Sequence, residues 1–176
     1  VNISQAIAPA RHRLIQQTLD GYIFSLASPA DADEIIDLFH QYFDDEAGYR
    51  KRGVVFAADK AKPKLERAID LGIYPHIIAR TPGYDGKIVG VISYSLDASF
   101  CVDPIAVMDM LYVVPGYRRS AIGKVLLEVA VDMAKGDGAV AFHAPIASEI
   151  VRWQSIVNLF KNAGFGEIGV IMGKGL

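Results

Sequence analysis

The fold is decided by one continuous stretch: Met108-Asp109-Met110-Leu111-Tyr112-Val113-Val114, then Pro115-Gly116-Tyr117, then Arg118-Arg119-Ser120-Ala121-Ile122-Gly123-Lys124. Its first part is apolar apart from Asp109 and closes on β-branched and aromatic residues, which suit a pleated, half-buried strand. Pro115-Gly116 punctuates it. From Ile122 onward the apolar residues recur at helical spacing, with Val125, Leu126, Val129 and Met133 on the same face. The pattern predicts a strand, a tight turn and an amphipathic helix over about residues 122–135, ended by Gly136-Asp137-Gly138. A helix starting there leaves N–H groups without intrahelical partners, at the positive end of its aligned peptide dipoles. Small residues let an anion approach that backbone, and Arg118, Arg119 and Lys124 add positive charge, so a phosphate is one candidate ligand. An ordinary strand-turn-helix with a solvated basic turn is the plain alternative.

Outward from this stretch the elements alternate. Downstream, residues 139–144 read as a strand, and residues 151–163 as a helix that buries Trp153, Ile156, Val157 and Phe160 and stops at Gly164. Residues 165–172 read as a closing strand or small hairpin. Upstream, strands are expected at 105–114, 87–96 and 76–80, the last two joined by the turn Thr81-Pro82-Gly83-Tyr84-Asp85-Gly86. Before them a helix over about 62–71 turns Leu65, Ala68 and Ile69 inward and ends at Gly72. Residues 22–27 form a further strand, followed by the helix start Ser28-Pro29-Ala30-Asp31. There Ser28 accepts from the first turn, Pro29 has no N–H to lose, and the Asp31 carboxylate favours the positive helix end. Ile35, Leu38, Phe39 and Tyr42 then make one buried stripe, and the helix ends before Gly48. Residues 1–20 are expected to be an N-terminal extension in which residues 10–19 can form a helix with Leu14, Ile15 and Leu19 on one side. Without repeats, low-complexity tracts or linkers, residues 21–176 read as a single α/β domain.

Composition narrows the function. The chain has 176 residues, 52% hydrophobic and 22% charged, enough for one sizeable core. A formal net charge of -2 argues against a general nucleic-acid binder. A single cysteine, Cys101, excludes an intrachain disulfide and a cysteine-built metal site, and it has no activating partner in the sequence. His12, His40, His76 and His143 lack metal-ligand spacing, so no metal is expected. No run approaches the ~18 apolar residues of a membrane span, and the N-terminus lacks the order of a secretory signal; the expected setting is the cytosol. Gly83-Tyr84-Asp85-Gly86-Lys87 is too short for a P-loop, and no Ser or Thr follows its lysine.

The central stretch resembles motif A of the GNAT superfamily of N-acetyltransferases, Q/R-x-x-G-x-G/A after a strand and a proline-containing turn. Val113-Val114-Pro115-Gly116-Tyr117-Arg118 is similar to the family's V-x-P-x-Y-R lead-in, and Gly123 fills the last motif position. Asn162-Ala163-Gly164-Phe165 resembles the family's G-F signature. The resemblance extends over most of residues 22–172. It implies an α/β (α+β) domain with a mixed, mostly antiparallel sheet flanked by helices and a V-shaped splay between central strands near Leu111 and Ala141. It also implies transfer of an acetyl group from acetyl-CoA to a primary amine by direct attack in a ternary complex. The acceptor would be a small molecule, a peptide or a protein. By the same resemblance Arg118 and the backbone amides of Arg119, Ser120, Ala121, Ile122, Gly123 and Lys124 hold the pyrophosphate. The main chain of Leu111, Tyr112 and Val113 holds the pantetheine arm, as an added strand is held, and an N–H there polarises the thioester carbonyl.

Two positions depart from the family pattern. Ala121 stands at the first motif glycine; if that position needs a positive φ, alanine costs about 1 kcal/mol. Phe160 stands where many members carry a tyrosine that protonates the leaving thiolate, and Trp153 lies near a common asparagine. These departures motivate an alternative: a catalytically weak or inactive coenzyme A-binding or interaction module. For transfer, a lysine-like amine with pKa near ~10.4 must lose a proton. Asp109 is the leading base, because it interrupts an apolar strand where burial raises a carboxyl pKa; a solvent-facing carboxylate is the plain reading. His143 titrates in the useful range and is the alternative. Asp44-Asp45-Glu46 could attract a cationic amine, with Tyr49-Arg50-Lys51-Arg52 offsetting part of its field. Many relatives end with two strands, so a second copy of the chain could complete the sheet as a homodimer.

Overall fold

The apolar runs assemble one six-stranded sheet whose spatial order follows the chain: β1 (Gln17–Leu19), β2 (Tyr22–Leu26), β3 (His76–Arg80), β4 (Ile88–Asp97), β5 (Ile105–Val113) and β6 (Ala141–His143). The structure is a computed structural model that describes residues 17–19, 21–46, 55–83, 86–99, 102–146 and 153–168. All neighbouring strands are antiparallel except β5 and β6, which run parallel. Helices α1 (Ala32–Gln41) and α2 (Ala58–Asp70) cover one face, where Ile35, Leu38 and Leu65 meet Ile78, Val91 and Tyr112. Helices α3 (Ile122–Gly136) and α4 (Trp153–Asn162) cover the other, where Leu126 and Phe160 meet Ile77, Ile92 and Met108. Strand β4 is therefore buried on both faces from Ile88 to Tyr94 and reads as a near-continuous apolar run.

Two irregularities of β5 shape the site. Ser93 opposes Met110 while Tyr94 opposes Met108, so Asp109 is the extra residue of a β-bulge. The bulge reverses the alternation: Ala106 and Met108 face α3, but Met110 and Tyr112 face α1. Second, β6 pairs only with the start of β5, through Ile105↔Ala141, Ala106↔Phe142 and Val107↔His143. Past that pair the strands part, and β5 from Met108 to Val113 has no strand on that side among the described residues. This is the expected splay, opening above His143.

The helix start carries the reciprocal cap expected there between Ser28 and Asp31, on a 3-10 turn (Pro29–Asp31) that leads into α1. Ser28 N and Oγ also approach Asp31 Oδ2 at 2.7 and 3.0 Å. Asp31 also pairs with Arg80, whose Nη1 donates to Gly86 O at 2.8 Å, tying the helix start to the β3–β4 turn. Helix α2 begins at Ala58, one turn before the predicted start, with Pro63 inside it.

Two elements depart from the sequence expectations. Residues 17–19 are strand, not helix: Leu19 pairs with Tyr22 across Asp20-Gly21, and Gly21 has φ +82°. An Asp-Gly pair favours a two-residue hairpin, and that local signal outweighs the helical spacing. Residues 1–16 lie outside the described part. At the other end, residues 165–168 form no strand. Gly164 takes φ +87°, Phe165 N donates to Phe160 O at 3.0 Å, and the Phe165 ring packs edge-on against Phe160 and Phe142. That helix-ending contact holds Phe165 over the core rather than along a sheet edge. Residues 169–176 of the predicted closing strand lie outside the described part.

Candidate functional site

Strand β5 passes into α3 through one sharp turn. Val114 N donates to Val89 O at 2.9 Å, and Tyr117 N and Arg118 N close a 3-10 turn onto Val114 O and Pro115 O. The next residue, Arg119, has φ +74°, the one described non-glycine in the left-handed region. Such a residue brings successive N–H groups round to one side of the chain. Ala121 has φ -71° and ψ -7°, so its methyl carries no left-handed strain. Ile122 N donates to Ser120 Oγ at 3.3 Å, and that hydroxyl donates to Tyr117 O at 2.7 Å. Among the described residues, the N–H groups of Arg119, Ser120, Ala121, Gly123 and Lys124 have no protein acceptor. These five N–H groups form a donor row from which Ile122, bonded to Ser120, is missing.

The basic side chains divide. Arg118 turns back onto the strand: its Nε donates to Val113 O at 2.8 Å and its guanidinium lies 5.5 Å from the Tyr112 ring centroid. Arg118 therefore stiffens the turn, and the Val113 carbonyl is engaged by it. Tyr112 itself is buried on the α1 face, packed on Tyr42 at 5.9 Å. Arg119 is exposed with no ion pair among the described residues, and exposed Lys124 lies 3.6 Å from Glu128. A Cβ built on Gly123 would lie 3.5 Å from Leu159 Cδ2 and 3.8 Å from Val113 Cγ2, both ordinary contacts. The protein itself leaves room for a side chain at 123.

On the opposite sheet face the bulge presents Asp109. Ser95 Oγ donates to its Oδ1 at 3.2 Å, and Oδ2 has no partner among the described residues. Partial burial pushes the carboxyl above its ordinary value, with the Ser95 bond pulling the other way. His143 ends β6 opposite Val107, two residues before Asp109 along β5, so the register brings both candidate bases to one region. Asp44 is held by His40 at 3.3 Å; the side chains of Asp45 and Glu46, and residues 49–52, lie outside the described part. Cys101 and His12 lie outside it too. On α4, Phe160 is buried with its ring centroid 5.0 Å from that of Phe165, while Trp153 is half exposed. His76 donates through Nδ1 to Tyr74 O at 2.8 Å, and burial lowers its pKa.

Sequence reasoning missed Ser95 and the left-handed Arg119. Neither carries a local signal: Ser95 matters only through the bulge opposite it, and arginine is not a residue that marks positive φ. Among the described residues no group of three His, Cys, Asp or Glu side chains could hold a metal ion. No helix among them is long and apolar enough to cross a membrane. What the turn and strand suit is an anion continued by an extended polar arm. The donor row and exposed Arg119 offer positive charge to such an anion, and β5 past its pairing with β6 offers main-chain groups to such an arm.

Residues 34–149 match the Acetyltransferase (GNAT) family. No curated protein sequence is significantly similar to the chain. The fold is similar to that of aminoglycoside antibiotic 6'-N-acetyltransferase AAC(6')-Ih from Acinetobacter baumannii, at TM-score 0.66 and 18% identity over 88% of this chain and 97% of that one. Glucosamine-6-phosphate N-acetyltransferase from Arabidopsis thaliana superposes at TM-score 0.67 with 15% identity, over 87% and 97% of the two chains. AAC(6')-Iy, solved with the bisubstrate analog CoA-S-monomethyl-acetylneamine, superposes at TM-score 0.62 with 15% identity, over 87% and 96%.

Proposed function

From the premise that the chain belongs to the GNAT family of acetyltransferases, we propose that it moves an acetyl group from acetyl-CoA to a primary amine by direct attack in a ternary complex. One observation carries this reading: the N–H groups of Arg119, Ser120, Ala121, Gly123 and Lys124, without protein acceptors among the described residues, set beside the stretch of β5 that has parted from β6. Coenzyme A supplies an activated acetyl thioester; the rest is done by this chain. The N–H row and the Arg119 side chain bind the diphosphate. The main chain of β5 at Leu111 and Val113 orients the pantetheine arm, and an N–H there donates to the thioester oxygen as negative charge builds on it. Asp109 Oδ2 takes the proton of the acceptor ammonium, a task favoured by a carboxyl pushed upward by burial. His143 is the alternative base on the same side. Phe160 has no hydroxyl to give; a thiolate of pKa ~8.5 leaves without one and is protonated by solvent. Solved neighbours named for aminoglycosides and glucosamine-6-phosphate support an amine acceptor, whether small molecule, peptide or protein.

Phe160 in the core also favours a second reading, in which the chain retains coenzyme A and transfers nothing. Calorimetry with acetyl-CoA followed by thiol release on a panel of primary amines separates the two. Binding with turnover is the expected result. Binding without turnover on a broad panel favours the module, and no binding overturns both.

A further inference from the structure

Asp109 lies in the bulge with no residue of β4 directly opposite it, so its backbone pairing does not fix its carboxylate. What does touch it is Ser95, whose Oγ lies 3.2 Å from Oδ1. An ionised carboxylate only accepts, so the serine hydroxyl is the donor. Ser95 makes no other side-chain hydrogen bond among the described residues, and Oδ2 is left open. From this geometry we propose that Ser95 is the positioning residue of the acceptor side: it ties Oδ1 and turns Oδ2 toward the acceptor nitrogen. The inference rests on Asp109 being the base.

The proton balance follows. The ammonium N–H bond breaks, an O–H bond forms at Oδ2, and the nitrogen keeps its electron pair for attack; as the C–N bond forms and the C–S bond breaks, the nitrogen's second proton passes through solvent to the thiolate, and neutral Asp109 later returns its own proton to solvent. With Oδ1 engaged, the incoming proton is directed to Oδ2, and loss of the serine bond removes a preference for the charged form. Among the described residues, the other titratable groups near this part of the sheet face can be named. Asp97 lies two residues along β4 and is held by Ser99 N at 2.8 Å, and His143 lies on β6. His76, on β3 opposite Ser93, is held by Tyr74 O. Helices α1 and α2 meet this face with apolar Ile35, Leu38 and Leu65, and the His40–Asp44 pair lies at the C-terminal end of α1, the end that packs through Phe39 on His76.

The test is a titration of the Asp109 carboxyl carbon by NMR in the full chain, assigned by its loss in Asp109→Asn and repeated in Ser95→Ala and Ser95→Thr. Ser95→Ala is expected to raise the midpoint by about half to one pH unit, the size of one exposed hydrogen bond to a charge, and Ser95→Thr to restore it. On the amine panel the acid limb of kcat/KM moves the same way while the KM for acetyl-CoA stays put. An unmoved midpoint in Ser95→Ala, with Asp109→Asn inactive, overturns the role of Ser95 and leaves the base standing. Wild-type turnover in Asp109→Asn removes the base and the positioning residue together.

Discussion

Gly123→Ala separates what the protein needs from what a ligand needs at the start of α3. Gly123 is the second residue of the helix, and its φ is not positive. A Cβ there meets Leu159 and Val113 at 3.5 and 3.8 Å, so the folded chain accepts the methyl without strain. Replacing a helical glycine by alanine gains about 0.5–1 kcal/mol, chiefly by restricting the unfolded chain. For a domain of this size that corresponds to a rise in Tm of roughly 1–4 °C. Binding moves the other way. If a diphosphate sits on the N–H row, the methyl stands beside the donors of residues 123 and 124 and displaces at least one charged hydrogen bond. That loss amounts to about 1.5–3 kcal/mol, or roughly 10- to 100-fold in Kd.

The control is Gly90→Ala. Its Cβ would lie 2.9 Å from Ile122 Cγ2 and 3.0 Å from Leu126 Cδ1, both fully buried on α3. Overpacking of this kind costs about 1–3 kcal/mol, only partly offset by the entropy gain. Gly90→Ala should therefore melt lower. Differential scanning calorimetry and isothermal titration with acetyl-CoA read both quantities on the same samples. A Gly123→Ala protein that melts no lower and binds acetyl-CoA as tightly as the parent would refute the placement of the diphosphate on α3.

Three further outcomes follow from single contacts. Burial holds His76 below its ordinary 6.5, so the unfolded chain takes up a proton before the folded one: its contribution to stability is complete above about pH 6.5 and is lost as pH falls below it. His76→Phe should shrink the gap in Tm between about pH 7.5 and about pH 5.5. Arg119→Ala should weaken acetyl-CoA binding and flatten its salt dependence, whereas Arg118→Ala, whose guanidinium is turned onto Val113 and Tyr112, should leave the salt slope unchanged. Phe160→Tyr sets a hydroxyl into the core beside Phe165 and should lower stability by about 1–3 kcal/mol without raising thiol release; a faster reaction would show that α4 can supply the proton after all.

Most of the element order was legible because helices and buried strands carry their period in the sequence. The stripe Ile122, Val125, Leu126 and Val129 is buried as its spacing requires, and β4 and β5 fall within two residues of their predicted limits. The failures are where a local signal competes with a tertiary one. Asp20-Gly21 made a hairpin out of a segment with helical spacing, and the aromatic contact of Phe165 with Phe160 kept residues 165–168 off the sheet edge. At the site, the helix start could be read from its small and basic residues. The bulge could not: Ala106, Met108, Met110 and Tyr112 alternate without interruption, and only the pairing with β4 turns the first two and the last two to opposite faces. The Ser95–Asp109 contact was hidden for the same reason.

The turn also explains why the motif departure at Ala121 weighs less than the pattern suggests. A glycine in a phosphate-binding turn meets one of two requirements, a positive φ or a close approach, and only the first penalises alanine through the backbone. Here the positive φ falls on Arg119, two residues earlier, at a cost of about 1 kcal/mol, while Ala121 is already helical and Gly123 keeps the open position. The groups proposed to grip the ligand are peptide N–H groups, which every residue but proline supplies. At positions 121 and 123 the side chain is then constrained by size and not by identity. That makes Gly123, and not Ala121, the position where one added methyl should matter most.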